Sequence, residues 1–288
     1  MRKTGRILRV LSLCSFCVLG SARAQIQLPP VSPAASVKAV VGLTEVEISY
    51  HRPGVKGRKI FGAMLPWGEV WRLGANEATT IRFATGVKIE GHGVPAGTYA
   101  LFAIPGPDRW TLILNKEAKQ WGAFRYKPAE DLLRFDVQPR SGPFAEWMGF
   151  SIDPESRNKA VVEMAWDTVR VPFSVETNVD EAVWPRIDEV LAGKPEWSDY
   201  LQAAQYALFA EQRLDEAMGW IEKAHALQEG FWYHEVKAKL LQKQGKIAEA
   251  LEQLDLALAG ARDQMPRDFL WNLEQLKAEW TKAMPPPT

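Results

Sequence analysis

Two stretches of this 288-residue chain gather the residue types that do chemistry. The first runs from His51 to Gly62 and places Arg52, Lys56, Arg58 and Lys59 on a Gly/Pro-rich loop with no acid inside it. Such a loop brings forked guanidinium donors and backbone N–H groups to a carboxylate or a phosphate. The same cations also have a structural use: Arg58 and Arg72 would fix the loop by pairing with Glu69, Glu77 or backbone carbonyls. The second stretch, Leu65 to Thr79, holds Trp71-Arg72 and Asn76-Glu77. A Trp beside Arg, Asn and Glu suits a sugar, the ring stacking while the polar groups grip hydroxyls. Glu77 is also an acid/base candidate if partly buried, although glycoside hydrolysis needs a second carboxylate at a defined separation. A third group, Asn115-Lys116 with Gln120-Trp121-Gly122, follows a strand-like run. It either converges on the same end or cross-links long loops. The candidate ligand-binding set is therefore Arg52, Lys56, Arg58, Trp71, Arg72, Asn76, Glu77, Asn115, Lys116, Gln120 and Trp121.

The familiar catalytic signatures are absent. His234-Glu235 starts like a zinc-protease helix, but Ala238 stands where the second His belongs. His51, His92, His225 and His234 fall in no ligand spacing and read as surface or locally bonded residues. There is no Gly-x-Ser-x-Gly elbow and no Walker loop. Gly91-x-Gly93 with Gly97 leads into a strand, so no helix N-terminus is there to hold a pyrophosphate. No catalytic residue, metal or cofactor is expected.

The elements that must position these residues change character along the chain. From Gln25 to about Pro172 short apolar runs alternate with polar residues: Val46, Ile48 and Tyr50 against Glu45, Glu47 and Ser49; Val87 and Ile89 against Lys88 and Glu90. Thr98–Ile104, Trp110–Leu114, Val161–Trp166 and Val169–Phe173 complete the series, with turns at Gly91-His92-Gly93 and Pro105–Asp108. This predicts an all-β antiparallel sandwich or barrel over residues 25–175. Trp110 and Trp166, inside strand-like runs, read as core. From about Glu181 the period becomes helical, and the boundary falls near residues 174–181. Pro195 and Pro266 sit where helices should begin. Arg213–Ala224 recurs as Lys246–Ala257 with Ala217, Ile221 and Ala224 matching Ala250, Leu254 and Ala257, an offset near the ~34-residue tetratricopeptide period. Residues 181–284 are expected to form helical-hairpin repeats, although the first-helix Trp, Gly and Tyr of that consensus are not filled. The expected fold class is α+β, in two domains.

Residues 1–24 read as a secretory signal: Arg2, Lys3, Arg6 and Arg9, then the apolar run Val10–Gly20, then Ala22-Arg23-Ala24 before Gln25. The run falls short of the ~20 residues of a membrane span. Cleavage there removes five basic residues and no acid, turning a neutral chain into one with 30 basic and 35 acidic residues, a net of −5. Both cysteines leave as well, so no disulfide, thiol nucleophile or cysteine metal ligand is expected. A thiol-free chain suits an oxidising envelope compartment, and the expected location is periplasmic or extracellular. Composition excludes disorder, collagen and a polytopic membrane protein, and the charge balance gives no reason to expect nucleic acid.

The polar stretches also carry a resemblance. Ser32-Pro33, Val41–Thr44, Tyr50–Arg58, Ile60–Gly62, Val70–Thr79, Ala96–Tyr99, Asn115-Lys116 and Gln120–Ala123 are similar to domain-of-unknown-function family 2911, a bacterial family of exported proteins. The resemblance covers roughly residues 30–173, and its most specific block is Arg52–Thr79. It implies an exported β domain, in keeping with helical repeats after it, and assigns no catalytic residue. The function expected from residues and resemblance together is a non-catalytic ligand- or protein-binding module of the cell envelope, with an unidentified envelope ligand on the β domain and a protein partner on the helices. The alternatives are a hydrolase acting on an envelope glycan or peptide, with Glu77 as acid/base and Arg72 as electrostatic stabiliser, and a purely structural protein whose polar clusters are internal glue.

Overall fold

A computed structural model describes residues 28–283; the leader reading over 1–24 lies outside the described residues. Ten strands precede six helices. The strands are β1 (Ala34–Val41), β2 (Thr44–His51), β3 (Thr80–Phe83), β4 (Val87–Ile89), β5 (His92–Val94), β6 (Gly97–Ile104), β7 (Trp110–Asn115), β8 (Asp131–Val137), β9 (Arg140–Pro154) and β10 (Lys159–Glu176). They form two antiparallel sheets, one of order β1-β2-β3-β6-β7-β8 and one of order β5-β4-β10-β9. Val46, Ile48, Ile81, Phe83, Leu101 and Leu112 of the first sheet share one core with Ile89, Phe150, Val162, Met164, Trp166, Val171 and Phe173 of the second. The β region is a sandwich.

The alternation in β2 has the expected consequence: Thr44, Val46, Ile48 and Tyr50 are buried, while Glu45, Glu47 and Ser49 face outward. Two expected runs, Val161–Trp166 and Val169–Phe173, are a single strand. The interruption is a bulge at Asp167, whose φ of 53° shifts the register against β9 between Ala165 and Val169. The turn joining β4 and β5 sits at Glu90-Gly91, both at positive φ, rather than on Gly91-His92-Gly93. Two consecutive positive φ angles match the right-handed twist of a two-residue hairpin.

The outer face of the six-stranded sheet is treated unevenly, and this creates the site. On β6 and β7 both faces are buried. Ala78, Ala100, Phe102 and Ile113 form a second small core there with Val70, Ile104, Ala123 and Tyr126, under the segments that precede β3 and follow β7. Those segments stop short of β1 and β2, whose outward residues stay partly or fully exposed.

The helices are α1 (Val179–Ala192), α2 (Trp197–Ala210), α3 (Leu214–Leu227), α4 (Phe231–Lys243), α5 (Ile247–Ala261) and α6 (Arg267–Ala283). α2 and α6 begin within two residues of Pro195 and Pro266. At the start of α2, Asp199 accepts the Glu196 backbone N–H at 2.8 Å, satisfying a donor the helix itself cannot. Ala217, Ile221 and Ala224 of α3, and Ala250, Leu254 and Ala257 of α5, are all fully buried. Small residues at these offsets let paired helices approach closely. No helix among the described residues is long and apolar enough to cross a membrane.

Candidate functional site

The sequence candidates divide between two cavities and the framework around them. Their division is set by the segment leading into β3. Trp71 bridges to Ala103 of β6 in antiparallel fashion, and Glu77 bridges to Trp121. Between these anchor points the chain reverses through Leu73 (φ 53°) and Asn76 (φ 55°). Gly74 lies between them in a crowded place: a Cβ there would sit 2.9 Å from Thr79 Oγ1 and 3.2 Å from the His51 carbonyl. The reversal sends Arg72 to one side and Glu77 to the other.

On the Arg72 side is a cavity of about 370 Å³, lined by Ser32, Lys56, Arg58, Trp71, Arg72 and Trp166 among others. No carboxylate among the described residues lines it. Arg58 is held by two backbone carbonyls, its Nε donating to Val55 O at 3.0 Å and a terminal nitrogen to Gly54 O at 2.6 Å. Lys56 lies with its ammonium 5.8 Å from the Trp147 ring centroid, and its backbone N–H donates to Glu146 at 2.9 Å. Arg72 is different. Its Nε–H is buried and meets no acceptor among the described residues. Burial pushes the Arg72 pKa down, yet a guanidinium starts so high that it stays a cation at neutral pH. The indole N–H of Trp166, a residue only 1% exposed, is likewise buried without an acceptor. A buried donor left unsatisfied costs about 1–3 kcal/mol, so two of the residues that line this cavity each carry a donor without an acceptor among the described residues.

Trp71 does not serve as the expected open platform. It is buried, its indole N–H donates to Gly74 O at 3.1 Å, and its ring stacks on Trp166 at 5.7 Å and 24°. Phe61 packs edge-on against Trp71, Trp110 and Trp166. These rings make the wall of the cavity and the core behind it.

On the Glu77 side is an open trough of about 750 Å³ over β1, β2 and β3. Its floor is small, with Ala34, Ser36, Ser49, Ala78 and Thr80. Strand register aligns Ser36 with Ser49 and Ser49 with Thr80. His51, Glu77, Lys119, Gln120 and Trp121 form the walls. Hydrogen bonds from Ala78 N to Gln120 O at 3.0 Å and from Gly122 N to Asn76 O at 3.0 Å make a short ladder that holds Glu77 opposite Trp121. Such cross-strand pairs point to the same face. The Trp121 ring is 59% exposed.

Three candidates belong to the framework. Asn115 is fully buried and spends its side chain on Lys127 O, on Asp131 and on the Glu117 N–H. Arg52 Nε donates to Met148 O at 2.8 Å. Lys116 is exposed and its backbone N–H bonds Glu130 O. None of the three lines either cavity. Asn76 donates weakly to Ser32 O and acts mainly through its backbone. Trp166, His51, Ser36, Ser49 and Thr80 line the two cavities and are not among the sequence candidates. For the serines a signal existed: Ser49 sits on the outward side of the β2 alternation.

The described residues hold no group of three His, Cys, Asp or Glu side chains able to bind a metal ion. No curated protein and no solved structure matches the chain. A family model described as protein of unknown function (DUF2911) matches residues 32–175, which take in all but the last residue of the β sandwich and all but Val31 of the cavity linings. The chain belongs to this family of proteins of unknown function.

Proposed function

We propose that the chain is an exported, non-catalytic binding protein whose β domain captures a small carboxylate- or phosphate-bearing ligand in the Arg72 cavity. The observation that carries this reading is a cavity lined by three cations and, among the described residues, no acid, two of whose lining residues carry buried, unsatisfied donors, Arg72 Nε and Trp166 Nε1. An oxyanion in the cavity meets the Arg72 guanidinium and the second terminal nitrogen of Arg58, and both contacts are charge-assisted. A volume of about 370 Å³ admits a small molecule and not a polymer. Export rests on the leader pattern and the loss of both cysteines with it. The helical half, with its repeated hairpins, is the natural carrier of a protein partner.

The hydrolase alternative finds less support. Glu77 is the only carboxylate among the described residues that line the trough, whereas glycoside hydrolysis uses two. Arg72, its intended stabiliser, lines the other cavity.

The test is a titration of the purified chain with inorganic phosphate and with succinate, followed by tryptophan fluorescence and by melting temperature. Ligand at 100 times its dissociation constant adds about 2.7 kcal/mol, which for this size raises the melting temperature by about 5–10 °C. Saturable changes that disappear in Arg72→Met support the proposal. No saturable change with either anion, or a change that persists in Arg72→Met, overturns it.

A further inference from the structure

The trough on the Glu77 side is a second and separate feature, and it has its own unsatisfied group. Gln120 is 5% exposed; its side-chain N–H donates to Glu117 O at 2.7 Å, and its Oε1 is buried with no donor. Gln120 lines the trough. The groups that reach the trough itself ask for the opposite of the Arg72 cavity: a ligand that donates hydrogen bonds, to Glu77 above all.

The remaining chemistry of the trough agrees. Glu77 is an acceptor, His51 offers ring nitrogens, and Ser36, Ser49 and Thr80 present hydroxyls that both donate and accept. These hydroxyls come from three adjacent strands at one register level, so they form a row across the sheet. Beside the row the lining residues are small, Ala34 and Ala78, which lets a sugar ring lie close to the sheet. At one wall the Trp121 ring stands largely exposed, held against Glu77 by the backbone ladder. An exposed indole is costly to keep in water and useful against the C–H face of a pyranose ring. An open trough, unlike a closed pocket, accommodates a chain that continues at both ends.

We infer that this trough is a glycan-binding subsite, taking one or two pyranose units of an oligosaccharide, with Trp121 as the stacking platform and Glu77 and the Ser36–Ser49–Thr80 row as the hydroxyl partners. It binds without cleaving, because the second carboxylate that cleavage requires is not among the described lining residues. The site is independent of the anion cavity, since the two share no lining residue.

The experiment is isothermal titration of the intact chain with N-acetylchitotetraose, maltotetraose and a tetragalacturonate, repeated on Trp121→Ala, Glu77→Gln and Arg72→Met. Trp121 is exposed, so its removal leaves the fold intact, which circular dichroism confirms. Saturable binding of at least one oligosaccharide is expected, weakened about tenfold or more in Trp121→Ala, as for a stacking anchor. Arg72→Met is expected to leave it unchanged, so loss of the anion site and loss of the glycan site are read separately. No saturable binding of any of the three, or binding unaffected by Trp121→Ala, overturns the inference. Release of reducing ends from a bound oligosaccharide overturns its non-catalytic part.

Discussion

His51 Nδ1 lies 3.3 Å from Glu77 Oε2, joining the end of β2 to the segment that enters β3 across one wall of the trough. The Glu77 side chain is 55% exposed and that of His51 25% exposed. A pair this wet contributes little to folding, in the range of 0–1 kcal/mol. Glu77→Gln is therefore expected to change the free energy of urea unfolding by less than about 0.5 kcal/mol, while weakening oligosaccharide binding in the trough. A loss above about 2 kcal/mol would assign Glu77 to the framework and remove it from the site.

Arg72 predicts a trade between stability and binding. Its buried Nε–H has no acceptor among the described residues, and burial disfavours its charge. Methionine has a similar length and no polar demand, so Arg72→Met is expected to raise the unfolding free energy by about 1 kcal/mol. That corresponds to about 2–4 °C in melting temperature. A substitution that stabilises the fold and abolishes anion binding is the signature of a residue kept for function. A variant that melts lower than the parent would show that the guanidinium has a structural partner, contrary to its present environment.

The segment that carries Gln120 and Trp121 depends on a polar network with a distinctive pH response. Asp131 accepts from Asn115 at 2.8 Å, from Tyr126 at 2.7 Å and from Arg134 at 2.7 Å, and Arg134 also donates to the Tyr126 oxygen at 2.6 Å. Burial, followed by the neighbouring Asp131 carboxylate, pushes the Tyr126 phenol from its ordinary 10.0 up to about 12. The folded state thus keeps the proton more tightly than the unfolded one. Stability from this group is fully present below pH 10 and is lost as pH rises through about 12, because the unfolded chain ionises first. Urea unfolding measured from pH 8 to pH 11.5 should show a decline above pH 10 that is shallower in Tyr126→Phe. That variant should also lose about 1 kcal/mol at neutral pH, where the hydrogen bond to Asp131 is gone.

Much of the architecture was legible because it follows from period. The alternation around Val46, Ile48 and Tyr50 and the 33-residue recurrence of Ala217 at Ala250 each state which face is buried, and a face is what a strand or helix needs. The single strand β10 looks like two in the sequence because the bulge at Asp167 breaks the alternation without ending the ladder. The candidate site was legible by residue type and not by destination. Arg58 and Arg72 look alike in the chain, yet Arg58 is held by the carbonyls of Gly54 and Val55 while Arg72 Nε meets no acceptor among the described residues. Trp71 and Trp121 are both Trp in polar surroundings, but the bridge to Ala103 turns one into the core and the bridge to Glu77 leaves the other on the trough. Trp166 is core, as its strand-like run implies; that its N–H is left unsatisfied depends on the partners available at one point in space, on which sequence pattern is silent.

The reversal between Arg72 and Glu77 makes the last prediction. Leu73 and Asn76 both occupy the left-handed region, at φ 53° and 55°. For a residue with a Cβ this costs roughly 1–2 kcal/mol. Leu73 is 1% exposed, and burial of its side chain, worth about 1.5–3 kcal/mol, offsets the strain. Asn76 has no such compensation; it is tolerated because its short polar side chain suits this conformation. Asn76→Gly is accordingly expected to fold as well as the parent, and Asn76→Val to lose about 1–2 kcal/mol in urea unfolding, since a β-branched side chain is the poorest fit to positive φ. Because Asn76 O also accepts the Gly122 N–H at 3.0 Å, the Val variant should loosen the ladder that sets Trp121 against Glu77. Its oligosaccharide binding should fall even under conditions where the chain remains folded, while Asn76→Gly binds like the parent. Equal stability of the Gly and Val variants would mean that the left-handed turn at Asn76 is not what divides the two cavities.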